Sequence, residues 1–107
     1  MKCLLFDSSY ASEVIQLFTT VFSESENESE GKIIGNLVSK LITTTKAEDL
    51  IGFVATSGER VVGAIFFSRI IVPSEEVAFI LSPVAIATSE QGKGVGQQLI
   101  NYGLHHL

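Results

Sequence analysis

Three glycines at every second position lie in the segment Gln91-Gly92-Lys93-Gly94-Val95-Gly96, and they constrain this chain more than any other feature. Glycine lacks a Cβ atom and tolerates positive φ angles, so the backbone amides of such a segment stay uncovered. An apolar run from Val77 to Ala87 precedes it, and apolar residues at helical spacing follow it from Val95. A loop between a strand and a helix offers unpaired N–H groups at the positive end of the helix dipole, and Lys93 adds a full charge. We therefore predict a phosphate-binding loop.

The spacing of the glycines excludes the commoner phosphate loops. A Walker loop needs Gly-Lys-Ser/Thr at a fixed distance after a glycine, and the dinucleotide and kinase loops need Gly-x-Gly-x-x-Gly. The sequence contains neither pattern here. From the glycines alone, a pyrophosphate-binding loop and a glycine-rich turn that binds nothing both remain open.

The hydrophobic pattern predicts helices and strands that do not alternate regularly. Apolar residues at i, i+3, i+4 and i+7 indicate helices, and short apolar runs between turn residues indicate strands. The predicted elements are a strand at 2–6, helices at 10–22 and 33–42, strands at 50–56, 60–70 and 77–87 with turns at 57–59 and 73–75, and a helix from Val95. This order indicates one α+β domain over residues 1–107 with a mostly antiparallel sheet.

Composition and charge limit the classes of function. A net charge of −5 argues against a nucleic-acid partner, which needs a basic face. The single cysteine, Cys3, excludes an internal disulfide and a cysteine-rich zinc site, and we predict no metal. The acidic stretch from Glu24 to Glu30 predicts a solvated loop or a helix entrance. No apolar run approaches the roughly 20 residues of a membrane span and no signal peptide is recognisable, so we expect a cytoplasmic protein without a membrane partner.

The stretch from Val84 to Ile100 closely resembles the acetyl-CoA motif of the GNAT superfamily of N-acetyltransferases. The core of that motif is Gln/Arg-x-x-Gly-x-Gly/Ala, and it is matched here by Gln91, Gly94 and Gly96. The hairpin around Val61-Val62-Gly63-Ala64 resembles the second and third strands of the family, and the order of elements matches it from the first strand to the third helix. The resemblance implies the acyl-CoA N-acyltransferase fold, a mostly antiparallel mixed sheet with helices on both faces, ending after the third helix.

The resemblance also implies a set of site residues, with acetyl-CoA as cosubstrate. The amides of Gly92, Lys93, Gly94, Val95, Gly96 and Gln97, together with Gln91, would hold the pyrophosphate. The strand Val84-Ala85-Ile86-Ala87 would pair with the pantetheine arm, much as a peptide adds to a sheet edge. A bulge in this strand would free the N–H of Val84 to act as oxyanion donor. Ser82-Pro83 supports a bulge independently, because proline cannot donate to the ladder of hydrogen bonds.

The chain departs from the family pattern at the position of the general base. Many family members carry a glutamate four residues before the oxyanion position, and Ile80 stands there in this chain. Glu76 has the same parity along the strand, and two interpretations remain open: a base that acts through water, or an exposed charge at the strand end. Tyr102 belongs to the third helix, so we expect it to pack or to lie exposed rather than to protonate the leaving thiolate.

For five other side chains we predict structural rather than functional roles. Adjacent His105 and His106 point about 100° apart on a helix and should not chelate one metal. Cys3 should be a small buried hydrophobe. Phe66 and Phe67 should point to opposite faces of the sheet, one into the core and the other towards a cleft.

Three functional hypotheses follow. The first is an N-acetyltransferase that moves an acetyl group from acetyl-CoA to a primary amine. The second is a non-catalytic CoA-binding or dimerisation module derived from a truncated acetyltransferase, and the third is a structural domain whose loop binds nothing. Because the family continues with a fifth strand, the strand 77–87 would be an open hydrophobic edge in this chain, and we expect a homodimer or a strand-swapped assembly through it.

Overall fold

A computed structural model describes residues 1–45, 49–71 and 77–106, and its sheet is antiparallel throughout. The strands follow one another in the order β1-β2-β3-β4. They are β1 (Lys2–Leu5), β2 (Leu50–Ser57), β3 (Arg60–Ile71) and β4 (Val77–Ile86), and the helices are α1 (Ala11–Ser25), α2 (Glu28–Thr44) and α3 (Val95–His106). Short 3₁₀ turns at Ser8–Tyr10 and Thr88–Glu90 precede α1 and follow β4. The α+β class is confirmed, whereas the turn predicted at 73–75 lies outside the described residues.

Helices cover both faces of the sheet, as the family resemblance implies. Side chains alternate along a strand, so β2 sends Val54 to the face of α1 and α2 and Phe53 to the face of α3. Phe66 and Phe67 of β3 lie on opposite faces as predicted, and both are buried. Phe66 also borders a cavity of about 580 Å³ at one end of the sheet, close to Phe6.

The acidic stretch forms a tight connection between α1 and α2. Glu24 and Ser25 end α1, and α2 already begins at Glu28, five residues before the predicted start at Ile33. The side chain of Asn27 caps α2 by accepting a hydrogen bond from the N–H of Glu30 at 2.9 Å. Acidic side chains in the first turn favour the helix dipole, so the expected helix entrance is confirmed.

Two glycines lie in the contact face of α2 against α1, beside the buried Val38. The apolar stripe predicted for α2 is only partly covered, since Ile33 is 61% and Leu37 is 48% exposed. Gly31 and Gly35 are buried instead, one helical turn apart, against Thr19 and Ser23 of α1. The helices therefore approach closely along a glycine surface, which hydrophobic periodicity does not reveal.

We expect Gly31→Ala to lower the free energy of unfolding by about 1–3 kcal/mol, the usual range for overpacking. A Cβ atom at this position would lie 2.6 Å from the carbonyl oxygen of Thr19 and would collide with the hydroxyl of Ser23, so the helices would have to separate. Gly35→Ala is the matched control, because its Cβ would collide with the Thr19 hydroxyl and with no backbone atom, so the most it displaces is the hydrogen bond of that hydroxyl to the carbonyl of Ile15. Urea denaturation of both variants measures the difference, and equal stabilities would contradict the close crossing.

Cys3 lies half-buried on β1 beside the cluster that packs under α3, in agreement with the predicted structural role. Burial raises the pKa of the Cys3 thiol by more than the neighbouring N-terminal charge lowers it. Because the thiolate is the reactive form, we expect a disulfide reagent to label Cys3 several-fold more slowly in the folded chain than in urea. Equal labelling rates in the folded chain and in urea would show that the thiol is not protected.

The raised pKa of Cys3 also affects stability. The folded state loses stability as the pH rises from the ordinary cysteine pKa through the pKa of the folded state.

Candidate functional site

The loop between β4 and α3 has the backbone conformation that its glycines predict. Gly92 has a φ of 83° and Gly94 a φ of 81°, in the left-handed region that side chains disfavour. A Cβ atom built on either glycine would meet no atom within 4 Å. Glycine is therefore required here by backbone conformation and not by crowding, and the space over the loop is open to a ligand.

The first amides of α3 face this loop. The helix begins at Val95, and the N–H of Gln98 donates to the carbonyl of Gly94 at 3.0 Å. The N–H groups of Val95, Gly96 and Gln97 precede that bond, so they belong to the helix end that has no intrahelical partner. Together with the helix dipole they form a concentration of hydrogen-bond donors suited to an anion.

Lys93 carries the positive charge of the loop, but a carboxylate of the chain already lies beside it. Its Nζ atom is 3.4 Å from Oε2 of Glu90, and the Lys93 side chain is 63% exposed. The Glu90 side chain is only 24% exposed, but solvent reaches the pair at its Lys93 end. An incoming phosphate can therefore compete with Glu90 for Lys93. The backbone amides, rather than Lys93, then supply most of the fixed recognition.

A bulge interrupts β4 at the predicted proline. Ile65 of β3 lies opposite Val84, whereas the next residue, Phe66, lies opposite Ser82. Pro83 is thus the extra residue, and the expected bulge at Ser82-Pro83 is confirmed. Proline fits this position because it has no N–H to lose from the ladder.

The N–H groups of Val84 and Ile86 point away from β3. The N–H of Ala87 donates to the carbonyl of Val62 at 2.8 Å, so the carbonyl of Ile86, in the same peptide group, points to the opposite side. Backbone polar groups alternate between the two edges of a strand, which directs the N–H groups of Ile86 and Val84 outward. Within the described ranges β3 is the only strand that pairs with β4. The outer edge therefore presents two donors in line with the loop.

A groove of about 730 Å³ lies between α1 and the start of the same loop. Its walls include Leu17, Val21, Val61 and Ala87 together with Glu13, Glu24, Arg60 and Ser89. The hydroxyl of Thr88 donates to Glu24 at 3.0 Å, and the N–H of Val61 donates to Glu13 at 3.3 Å. The groove could not be predicted from local sequence patterns, because its residues come from three separate segments: α1, the start of β3 and the turn after β4.

Tyr102 and the two adjacent histidines lie on α3, outside the loop. Tyr102 packs edge-on against Phe53, with ring centroids 5.6 Å apart, and stacks on His106 at 4.1 Å, so its packing role is confirmed. Nδ1 of His105 and of His106 each lies 2.7 Å from the carbonyl oxygen one helical turn back. Glu76, the candidate base, lies outside the described residues.

The described part of the chain was also compared with the requirements of a metal site and of a membrane-spanning helix. Among residues 1–45, 49–71 and 77–106, no three His, Cys, Asp or Glu side chains are grouped so that they could hold a metal ion. None of the helices described is both long enough and apolar enough to span a membrane.

Comparisons with known proteins agree with this geometry. The model of the acetyltransferase (GNAT) family matches residues 11–107. The uncharacterized N-acetyltransferase YjhQ of Escherichia coli K12 is 31% identical over 104 residues, which are 94% of this chain and 54% of YjhQ. The chain thus spans about half the length of this curated relative.

Solved structures show the same fold. A GNAT family acetyltransferase from Brucella melitensis in complex with acetyl-CoA is 26% identical with a TM-score of 0.71, over 98% of this chain and 68% of that one. An acetyltransferase from Corynebacterium glutamicum, described as histone acetyltransferase HPA2 and related acetyltransferase, is 18% identical with a TM-score of 0.78, over 98% and 70% of the two chains.

Proposed function

The chain belongs to the GNAT acetyltransferase family, and from this premise we propose that it binds acetyl-CoA and transfers the acetyl group to a primary amine. One observation carries the proposal. The outward N–H groups of Val84 and Ile86 lead directly into a loop whose two positive-φ glycines open onto the first amides of α3. A ligand that has both an amide-containing arm and a pyrophosphate fits this sequence of donors. The Brucella relative, which was solved with acetyl-CoA, supports the assignment.

Each part of the cosubstrate has a counterpart in the chain. The amides of Gly92, Lys93, Gly94, Val95, Gly96 and Gln97 would hold the pyrophosphate, with Lys93 turning from Glu90 to the phosphate. The pantetheine arm would lie along Val84-Ala85-Ile86 and accept hydrogen bonds from the outer edge. The open space over Gly92 and Gly94 is what the close approach of a phosphate requires.

The chemistry follows from where the donors point. Acetyl-CoA supplies an activated thioester, and the amine nitrogen attacks its carbonyl carbon while the carbon–sulfur bond breaks and a proton passes from nitrogen to sulfur. The Val84 N–H would donate to the carbonyl oxygen as negative charge develops on it. Holding both reactants in position supplies the rest of the acceleration. Glu76 stays the candidate for accepting a proton from the amine through water.

The charge of the groove under α1 favours a cationic acceptor. Glu13 and Glu24 line it, with Arg60 as its cation, and the exposed acidic connection up to Glu30 follows Glu24 directly. A positively charged amine would be attracted to this side of the sheet. We therefore expect multiply charged amines to be better acceptors than neutral ones.

Calorimetric titration with acetyl-CoA, followed by a thiol-release assay with primary amines of graded charge, tests the proposal. Binding with turnover supports the acetyltransferase. Binding without turnover of any amine would favour the alternative, a non-catalytic CoA-binding or dimerisation module. No heat of binding at millimolar acetyl-CoA would overturn both and leave a structural domain.

We also propose a homodimer, in which the residues of β4 before the bulge pair with a second copy. The bulge at Pro83 separates this stretch, 77–82, from the stretch proposed to bind the arm, so the two uses of the edge need not compete. Light scattering should give twice the chain mass with and without CoA, and a stable monomer at high concentration would contradict the dimer. A cytoplasmic location stays a prediction from the sequence.

A further inference from the structure

We propose that Gln91 is a positioning residue, whose side chain fastens the glycine loop to the outer edge of β4. Nε2 of Gln91 donates to the carbonyl oxygen of Ile86 at 3.0 Å. This carbonyl belongs to the peptide group whose N–H is bound to β3, so it points to the open edge. The contact therefore joins the two parts of the proposed cosubstrate site, and the inference rests on the proposed function for its consequence.

The backbone around Gln91 holds the side chain in this orientation. The N–H of Gln91 donates to Thr88 at 3.3 Å, and the N–H of Glu90 donates to Ala87 at 2.8 Å. These bonds close a single 3₁₀ turn, after which Gln91 is extended, with φ of −67° and ψ of 144°. The turn reverses the chain far enough for the side chain to reach back five residues. A glutamine engaged in this way gives one of its two amide hydrogens to the strand.

The contact has a defined consequence for the outer edge. The carbonyl of Ile86 already accepts a hydrogen bond, while the N–H groups of Ile86 and Val84 remain directed outward. The edge at Ile86 is thereby made a donor, which suits the carbonyl oxygens of an amide-containing arm. The loop and the strand edge are also kept at a fixed separation, so a ligand that bridges both has less disorder to remove on binding.

The first test needs no ligand and compares amide hydrogen exchange in the free protein. The variants are Gln91→Ala, which removes the side chain, and Gln91→Glu, which keeps its length but replaces the donor by a carboxylate. Gln98→Ala is the matched control, since Gln98 is an exposed glutamine on the adjacent turn of α3. We expect the amides of Glu90 and Gln98, whose hydrogen bonds to Ala87 and Gly94 flank the loop, to exchange several-fold faster in both Gln91 variants and at the wild-type rate in the control. Unchanged exchange in the Gln91 variants would overturn the proposal.

The second test separates positioning from direct contact by calorimetry with CoA, ADP and pantetheine. Gln91→Ala should weaken CoA, which bridges loop and strand, by about 3- to 10-fold, the usual effect of losing one hydrogen bond. ADP contacts only the loop, so it should lose a smaller part of its affinity than CoA, and pantetheine contacts only the strand, so its affinity should change by less than about twofold. A loss for ADP equal to that for CoA would show that Gln91 contacts the phosphate. Tighter binding of pantetheine would show that the Gln91 side chain occupies the place of the pantetheine arm on β4. Either result overturns the proposal.

The two failures can be told apart. If the wild-type protein binds none of the three ligands, the proposed function is wrong, while the hydrogen-exchange comparison still decides whether Gln91 fastens the loop. If CoA binds but Gln91→Ala leaves its affinity unchanged, the proposed function stands and the positioning role does not.

Discussion

Replacing Gly94 by valine is expected to weaken CoA binding by at least about 30-fold, the equivalent of roughly 2 kcal/mol of backbone strain. Gly94 has a φ of 81°, which a β-branched residue adopts only under strain. Valine would shift this residue to a negative φ and turn the following peptide groups, including the amide of Val95, away from the ligand. Gly94 is exposed and an added Cβ would meet no atom within 4 Å, so we expect the loss to come from the backbone conformation and not from crowding. Calorimetry with CoA measures it.

Two other glycines provide controls for this change. Gly58, in the turn between β2 and β3, has a φ of 63° and equally open surroundings, so Gly58→Val imposes comparable strain away from the loop. It should lower the unfolding temperature and leave CoA affinity unchanged. Gly96→Ala should be tolerated in both respects, because its Cβ would lie 3.7 Å from Ile86, an ordinary contact. Wild-type CoA affinity in Gly94→Val would show that the loop does not bind the pyrophosphate.

The features that were predicted from the sequence are those that one residue type imposes locally. The positive φ angles of Gly92 and Gly94 and the bulge at Pro83 follow from a missing Cβ atom and a missing N–H. The hairpin turn at Gly58 has the same origin. Such signals need no knowledge of the remainder of the fold, which is why the loop and the strand before it were located correctly.

The features that were missed depend on partners distant in sequence. Glycine disfavours a helix, so the sequence alone gives no role to Gly31 and Gly35 in α2. Their role appears only when α1 packs against them. The early start of α2 depends on the cap by Asn27, which the acidic composition of the stretch concealed. The Gln91 side chain belongs to a motif that the resemblance assigns to ligand binding, and only the direction of the Ile86 carbonyl reveals its contact with the strand.

The groove under α1 shows the same limit for the acceptor side. Glu13 and Glu24 lie on one helix, but their relation to Arg60 and Ser89 appears only after β3 and the loop are folded together. Ligand recognition by backbone amides can thus be predicted from the sequence, whereas recognition by side chains from several elements cannot. This difference explains why a cosubstrate can be proposed from one motif while the acceptor is proposed from charge alone.

Removing the N–H of Val84 is expected to reduce kcat by about 10²- to 10³-fold, the usual effect of losing one oxyanion donor. The change can be made by chemical synthesis, with Val84 replaced by its α-hydroxy acid so that an ester takes the place of the amide. This N–H points to the open edge, so the ladder between β3 and β4 loses no donor and only the Pro83 carbonyl becomes a weaker acceptor, and the fold should survive. The thiol-release assay with the best amine measures kcat, and calorimetry measures the affinity for free CoA, which has no acetyl carbonyl and should bind as before.

The same replacement at Ile86 is the matched control, because its N–H also points outward but is proposed to contact the arm and not the reacting carbonyl. It should raise KM for acetyl-CoA and leave kcat within a factor of about three, since ground-state binding contributes equally before and during the reaction. A fall in kcat of the same size in both variants would mean that the edge acts as a whole and that Val84 has no special role. An unchanged kcat in the Val84 variant would assign oxyanion stabilisation to another group, and the bulge at Pro83 would then serve only to direct the strand.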